Sequence, residues 1–301
     1  MRLASILHNN SPRIAARRDD GQLVDLTAAD PTLGGDVSAL IASGDDWQAR
    51  ARAVAGGAAT LDEAAVQWRP VVPQPMKIIC LGLNDIDHAH EAGLPVPDFP
   101  VIFSRFASSL IGHNQPMVRP PESHMLDYEV ELAVVIGKGG RRIARADALA
   151  HVAGYTVFND GSIRDYQVRN SQWTLGKNFH GTGALGPELV TPDVLPPGAS
   201  GLRMTTRVGD ELLQDGNTGR MIFSVAQTIA LLSDAVLLEP GDVIAMGTPS
   251  GIGFARKPQR FLKPGEICSV EIEQIGRIDS PIVDEVPAHA SATSPAAQPR
   301  A

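Results

Sequence analysis

Asp127-Tyr128-Glu129-Val130-Glu131 leads straight into Leu132-Ala133-Val134-Val135-Ile136, so acids at every second residue run into an unbroken apolar stretch. On a strand, residues i and i+2 share a face and lie roughly 6.6 Å apart along the chain. Glu129 and Glu131 therefore aim at one point beside a core that offers little water. The same alternation also describes an ordinary half-exposed strand. What separates the two readings is a partner thirty residues on. Tyr155-Thr156-Val157-Phe158-Asn159-Asp160 reads as a second apolar strand ending in a lone acid, and the polar Gly161-Ser162-Ile163-Arg164-Asp165-Tyr166-Gln167 follows it. Two acids from one strand and one from the end of another make a candidate three-oxygen site. Carboxylates gathered away from water need a cation, a proton or an Arg among them. All-oxygen ligation suits Mg²⁺, Mn²⁺ or Ca²⁺ rather than zinc. Asp127 shares the strand face and is either a further member of the site or its support.

The chain around this stretch has 301 residues, 43% hydrophobic and 20% charged, as expected of a globular protein with a large core. A net charge of −8 without a dense Lys/Arg run argues against nucleic acid and anionic membrane as partners. No apolar run reaches the length of a membrane-spanning helix. Cys80 and Cys268 each sit in a strand-like apolar run, which points away from a disulfide framework and toward a reducing cytoplasm. Arg2, Arg13, Arg17 and Arg18 have the flavour of a transit peptide. Asp19-Asp20-Gly21 between Ile14-Ala15-Ala16 and Leu23-Val24-Asp25-Leu26 reads instead as a hairpin turn, so structure is expected from the first residue.

Residues 1–70 read as a small α+β module, with that hairpin followed by helical stretches near 37–43, 46–55 and 61–65. Residues 71–76, containing Pro73 and Pro75, form a proline-punctuated linker. From 77 to 287 the sequence is rich in short strands introduced by Pro-Gly turns, as at Glu239-Pro240-Gly241-Asp242 and Lys263-Pro264-Gly265-Glu266. One amphipathic helix is expected over 221–233 and a shorter one near 147–152. Few helices, many short strands and no βαβ alternation predict an α+β, mainly β fold, a mixed β-sandwich or roll. Residues 288–301, rich in Ala, Ser and Pro, read as a disordered tail.

Four further segments offer chemistry. In Gly82-Leu83-Asn84-Asp85-Ile86-Asp87-His88-Ala89-His90-Glu91, a helix would put His88 and Glu91 on one face. A carboxylate beside an imidazole fixes its tautomer and raises its basicity, the arrangement of a general base. A plain surface helix explains the same spacing, and His90 points elsewhere. Arg105 ends the strand-like Pro100-Val101-Ile102-Phe103-Ser104 and either pairs with an acid or contacts substrate. Lys177 stands in Gly176-Lys177-Asn178-Phe179 and carries little information alone. Gly247-Thr248-Pro249-Ser250-Gly251-Ile252-Gly253 lacks the Lys-Ser/Thr ending of a phosphate-cradling loop, so it suits close backbone approach to a small ligand rather than a nucleotide.

Taken in order, these motifs resemble the fumarylacetoacetate hydrolase family over about residues 75–286, and the amino-terminal module is similar to that of its short bacterial members. The resemblance implies a mixed β-roll catalytic domain, a homodimer, and Mg²⁺ or Mn²⁺ as the working metal. It implies Glu129, Glu131 and Asp160 as metal ligands, His88 and Glu91 as the catalytic dyad, and Lys177 as the charge-stabilising lysine. It assigns Gln167 and Thr248 to substrate contact, and Arg164 with Asp165 to scaffolding or substrate orientation. Three positions depart from the family pattern: Asp85 where Tyr is usual, Gly161 in place of a larger apolar residue, and His180 where Asp commonly follows. They touch substrate identity more than the class of chemistry.

The implied reaction is hydrolytic cleavage of a carbon–carbon bond in a β-diketone or 2,4-diketo acid. The metal would orient the oxo-acid end and stabilise the departing enolate, His88 would activate water, and Lys177 would stabilise the oxyanion. The same scaffold also permits decarboxylation of an oxaloacetate-like acid, isomerisation of a dienoate or dehydration of a sugar acid. A binding module with a structural ion is the non-catalytic alternative, in which the dyad and lysine would have no purpose.

Overall fold

The computed structural model describes residues 1–286; the tail expected over 288–301 lies outside the described residues. The strand Val130–Ile136 is buried at every residue, and its two faces meet two different apolar layers. Val130, Leu132, Val134 and Ile136 enter one core cluster, while Ala133 and Val135 enter another. This is why its sequence loses alternation after Glu131: a strand covered on both sides needs apolar residues at every position.

That strand is central in an eleven-stranded mixed sheet. The main path runs Leu23–Asp25, Ser11–Arg17, Arg2–His8, Gly183–Val190, Val152–Asp160, Val130–Ile136, Val243–Ala245, Ile78–Gly82 and Val101–Arg105. Most pairs are antiparallel, but Val243–Ala245 lies parallel to Ile78–Gly82. A five-stranded sheet of Glu211–Asn217, Arg203–Val208, Ile267–Ile272, Gly276–Asp284 and Met117–Arg119 packs over one face through Met204, Leu213, Val270, Ile278 and Ile282. The result is the expected α+β fold, mostly sheet with few helices, in sandwich form. Among the described residues no helix is long and apolar enough to cross a membrane.

The amino-terminal strands extend the large sheet. Arg2 and Leu3 pair with Val190 and Leu189, and Leu3, Ile14 and Val24 share a core cluster with Ala133 and Phe158. Arg2 and Arg17 both reach the buried Glu188, at 3.2 and 2.6 Å. A hairpin over Asn9-Asn10, both with positive φ, precedes the expected one. Asn tolerates that conformation, so the signal was present in the sequence.

The amphipathic helix starts later than its periodicity predicts, spanning Val225–Ala235. Ser224 and Gln227 form a capping box at its start. Met221 instead forms an isolated bridge with Asp85 and Ile222 and Phe223 bend, because Asn84 takes the backbone N–H of Ile222 on its carbonyl and that of Phe223 on its side chain. The stretch near 61–65 is a 3₁₀ turn over Glu63–Ala65, and that near 147–152 another over Ala148–His151.

Gly161 follows Asp160 at the point where the chain leaves the sheet. A Cβ there would lie 2.2 Å from the Thr182 carbonyl oxygen and 3.0 Å from Met117 Cε, so a larger residue has no room. Gly161→Ala is expected to destabilise the protein by about 1–3 kcal/mol in urea titrations. A loss within a few tenths would mean that the backbone at Thr182 yields freely.

Candidate metal centre and its cavity

Pairing of the two central strands sets Glu129 against Asp160. Val130 is opposite Asn159, the Asp160 N–H donates to the Glu129 carbonyl at 2.9 Å, and the Glu129 N–H donates to Asn159 Oδ1 at 3.0 Å. The regular strand begins only at Val130, so the acidic run spans two strands, Leu126–Asp127 and Val130–Ile136, with a two-residue break between them. One oxygen from each of Glu129, Glu131 and Asp160 comes within 4.8 Å of the others, and all three residues are buried.

Cations surround this triad. Lys177 Nζ lies 2.6 Å from both Glu129 Oε2 and Asp160 Oδ2. Arg105 Nη1 is 2.5 Å from Asp160 Oδ1, and Arg164 Nη2 is 2.7 Å from Glu129 Oε1. Glu131 has no ion-pair partner among the described residues; its Oε2 accepts only the Gly247 N–H, at 2.9 Å. Asp127 stays out of the triad. It accepts from the backbone N–H groups of Tyr128, Gly253 and Phe254 and pairs with Arg164 Nε at 2.8 Å. It therefore ties Arg164 to the glycine-rich loop.

With every carboxyl ionised, four acids (Asp127, Glu129, Glu131, Asp160) face three cations (Arg105, Arg164, Lys177) and leave one buried negative charge. The imbalance falls on Glu131. Burial, then Asp160 and Glu129, push its carboxyl well above the ordinary carboxylate range. For Glu129 burial acts the same way, but Lys177 and Arg164 outweigh it and hold the carboxyl down at about 2. Burial opposes the charge on Lys177, yet Asp160 and Glu129 raise its pKa. A divalent cation fits this donor set: it would turn the surplus to +1 and stabilise the ionised form of Glu131. Each carboxylate oxygen keeps a second lone pair beside the hydrogen bond it already accepts.

The triad opens into a cavity of about 220 Å³, whose walls include Glu129, Glu131, Lys177, Arg164, Gln167, Thr248 and His88. His88 rides on the short helix Ile86–Glu91, where its Nδ1 lies 3.3 Å from Glu91 Oε2. Glu91 Oε1 in turn accepts the Gly251 N–H at 2.9 Å. Asp85 caps this helix, its side chain accepting from the Asp87 and His88 N–H groups. That is the work done by the departure from the family pattern at 85. His180, the third departure, is exposed and contacts the Ser108 carbonyl; His90 is exposed too.

Arg164 and Gln167 meet on the cavity wall, Arg164 Nη1 donating to Gln167 Oε1 at 2.8 Å. Arg105 is placed differently. It is absent from the wall and 2% exposed, donating to Asp160, the Gly161 carbonyl and Thr182. Its acid-pairing alternative is the one realised, because a fully buried guanidinium must spend its donors on protein oxygens. Sequence reading missed Phe103 and Trp173, whose rings meet edge-on at 5.5 Å on the wall, and Gln214, which reaches Thr248 from the other sheet. Gly82 left a trace of the first pair, since a Cβ there would lie 2.3 Å from the Trp173 ring.

Comparison with known proteins gives the same picture. The family model "Fumarylacetoacetate (FAA) hydrolase C-terminal" matches residues 77–283. The chain is 45% identical over 267 residues to human "Oxaloacetate tautomerase FAHD2A, mitochondrial", covering 87% of this chain and 84% of that protein. Among solved structures, a putative HpcE protein from Mycobacterium smegmatis superposes with a TM-score of 0.84 at 38% identity, covering 94% of this chain and 99% of the other. Maleylpyruvate hydrolase from Sphingobium sp. SYK-6, in complex with manganese(II) and pyruvate, gives 0.77 at 30% identity, with 94% and 99% covered.

The state of Glu131 makes a pH-dependent prediction. Its carboxyl is raised in the folded protein, so above its ordinary value of 4.5 the unfolded chain ionises first and metal-free stability declines as pH rises. Glu129 acts oppositely, but only between about 2 and its ordinary 4.5. In EDTA, Glu131→Gln should melt above the wild type by a margin that widens from about pH 5 to 8. Saturating Mg²⁺ should reverse that order, since the variant loses a ligand. A variant less stable than wild type in EDTA throughout would refute strain at Glu131.

Proposed function

This chain belongs to the fumarylacetoacetate hydrolase family, and we propose that it enolises a small 2-oxo acid, with keto–enol tautomerisation of an oxaloacetate-like acid as its reaction. The observation that carries this reading is that a carboxylate-oriented imidazole and two acids of a buried carboxylate triad line one small cavity. A divalent cation, Mg²⁺ or Mn²⁺, held by Glu129, Glu131 and Asp160 would draw electron density from the 2-oxo group and acidify the neighbouring C3–H.

The chain's own groups do the rest. Arg164, Gln167 and Thr248 orient the carboxylate end of the substrate. Glu91 accepts a hydrogen bond from the Nδ1–H of His88, which leaves the Nε2 lone pair as the base. Nε2 removes the C3 proton, the carbon–oxygen π electrons move to oxygen, and the imidazolium returns the proton there to give the enol. Leu81, Phe103, Trp173, Ile252 and Phe254 keep water from the acidified carbon. Arg105 holds Asp160, and Lys177 holds Glu129 and Asp160 together.

Hydrolysis of an acylpyruvate-like diketo acid is the second reading, favoured by the structural neighbour described with manganese and pyruvate. It requires a cation free to meet an oxyanion, and both close partners of Lys177 are carboxylates of the triad. Tautomerisation needs no such cation, which ranks it first; the 45% identity to an oxaloacetate tautomerase points the same way. The two buried thiols suit a reducing compartment.

With Mg²⁺, the protein should speed exchange of the C3 protons of oxaloacetate with deuterium, followed by NMR. His88→Ala should slow exchange roughly 100-fold or more while Mg²⁺ affinity stays near normal. Rapid cleavage of acylpyruvates without faster exchange would replace this reading by the hydrolytic one. A homodimer is supported by the exposed Phe99, Ile102, Phe106 and Leu175 on and around the edge strand Val101–Arg105. Sedimentation should give a dimer at micromolar concentration, and a monomer there would set that partner aside.

A further inference from the structure

Gln214 lies on Glu211–Asn217, in the sheet opposite the triad, and is 1% exposed. Its Oε1 accepts from the Val130 N–H at 3.0 Å and from the Thr206 hydroxyl at 2.7 Å. Its Nε2 donates to Thr248 Oγ1 at 2.8 Å and to the Pro249 carbonyl at 2.9 Å. Two of these partners allow only one orientation of the amide. A backbone N–H can only donate, so the oxygen must face Val130; a carbonyl can only accept, so the nitrogen must face Pro249. All four hydrogen-bonding positions of the amide are then filled. Thr248 is consequently the acceptor in its contact with Gln214, and its own hydroxyl proton remains to be donated. Thr248 lines the cavity and donates to no protein oxygen among the described residues.

We propose that Gln214 is a positioning residue that presets the Thr248 hydroxyl as a hydrogen-bond donor to an anionic oxygen of the bound 2-oxo acid. The assignment rests on the 2-oxo acid reading of the cavity and extends it to specificity. A hydroxyl free to rotate would accept as readily as donate. With one lone pair engaged by Gln214, the hydroxyl keeps its proton for the ligand, and a carboxylate oxygen accepts it more strongly than the carbonyl oxygen of a neutral acid or an amide. The Val130 N–H that orients Gln214 lies between Glu129 and Glu131 in the chain, so one amide joins the donor to the strand bearing two of the triad's acids.

Oxalate, an inert planar dianion, is the probe, titrated by calorimetry into the Mg²⁺-loaded protein. Thr248→Val should weaken oxalate binding about 10-fold or more, and Gln214→Met, similar in length but without the amide, by a comparable factor. The double variant should bind no more weakly than Thr248→Val alone, because Gln214 acts through the hydroxyl. Mg²⁺ affinity without oxalate should be the same in all of them. Should Gln214→Met fold poorly, Gln214→Glu is the second variant: its oxalate affinity should fall more steeply with rising pH than the wild type's, as the new carboxylate captures the hydroxyl proton. Oxalate binding unaffected by Gln214→Met, further loss in the double variant, or parallel pH profiles would overturn the assignment alone. Wild-type protein that binds Mg²⁺ but not oxalate would overturn the 2-oxo acid reading and this assignment with it.

Discussion

An unbalanced set of buried charges governs this structure. Glu129, Glu131, Asp160 and Asp127 are held out of water by sheet and loop, and three cations offset all but one of their charges. Burying ions costs several kcal/mol each unless the partners are close and well oriented. Almost every polar choice nearby can be traced to that demand. Arg105 is committed to Asp160, Lys177 spans two carboxylates, and Asn159 fixes the Glu129 backbone. Only Glu131 is left with one backbone donor, and that deficit is what suits the cluster to a divalent ion.

Most of the architecture serves to hold this cluster at the edge of a cavity. Strand pairing places Glu129 beside Asp160, and the antiparallel neighbour Val243–Ala245 delivers the loop whose Gly247 meets Glu131. The same loop reaches the His88–Glu91 pair through Gly251, which donates to Glu91, and is pinned by Asp127 at Gly253 and Phe254. Tyr128 and Arg256 both donate to the Gly251 carbonyl, holding the residue whose N–H orients Glu91. Imidazole, acids and loop therefore form one hydrogen-bonded unit. A glycine at 251 is required there, because a Cβ would lie 2.3 Å from the Leu213 carbonyl oxygen.

Comparison of this chain with its relatives fixes the family and leaves the reaction to chemistry. A 2-oxo acid activated beside a base can lose a proton, carbon dioxide or an acyl group from the same enolate. The proposed function takes the first, a reading supported by a lysine engaged by two acids and by outer walls that are aromatic and aliphatic. On that proposal, specificity among acids would depend on the polar wall of Arg164, Gln167 and Thr248.

The sequence by itself determined the periodic features. Acids two apart on a strand, His and Glu three apart on a helix, and a run too apolar for a half-exposed strand are local patterns, because backbone geometry alone fixes which side chains share a face. The triad, the dyad and the mainly β fold were legible for that reason. Tertiary structure alone decided whatever depends on residues distant in the chain. Asp127 could have joined the acidic site or supported it, and only the distant Gly253, Phe254 and Arg164 resolved this by drawing it out of the triad. Arg105 could have served substrate or acid, and only the approach of Asp160, fifty-five residues on, resolved it. Gln214 carried no local signal at all, since its meaning lies in four partners from two separate strands and a loop. A hydrogen bond has direction and reach, and those appear only once the sheets have packed.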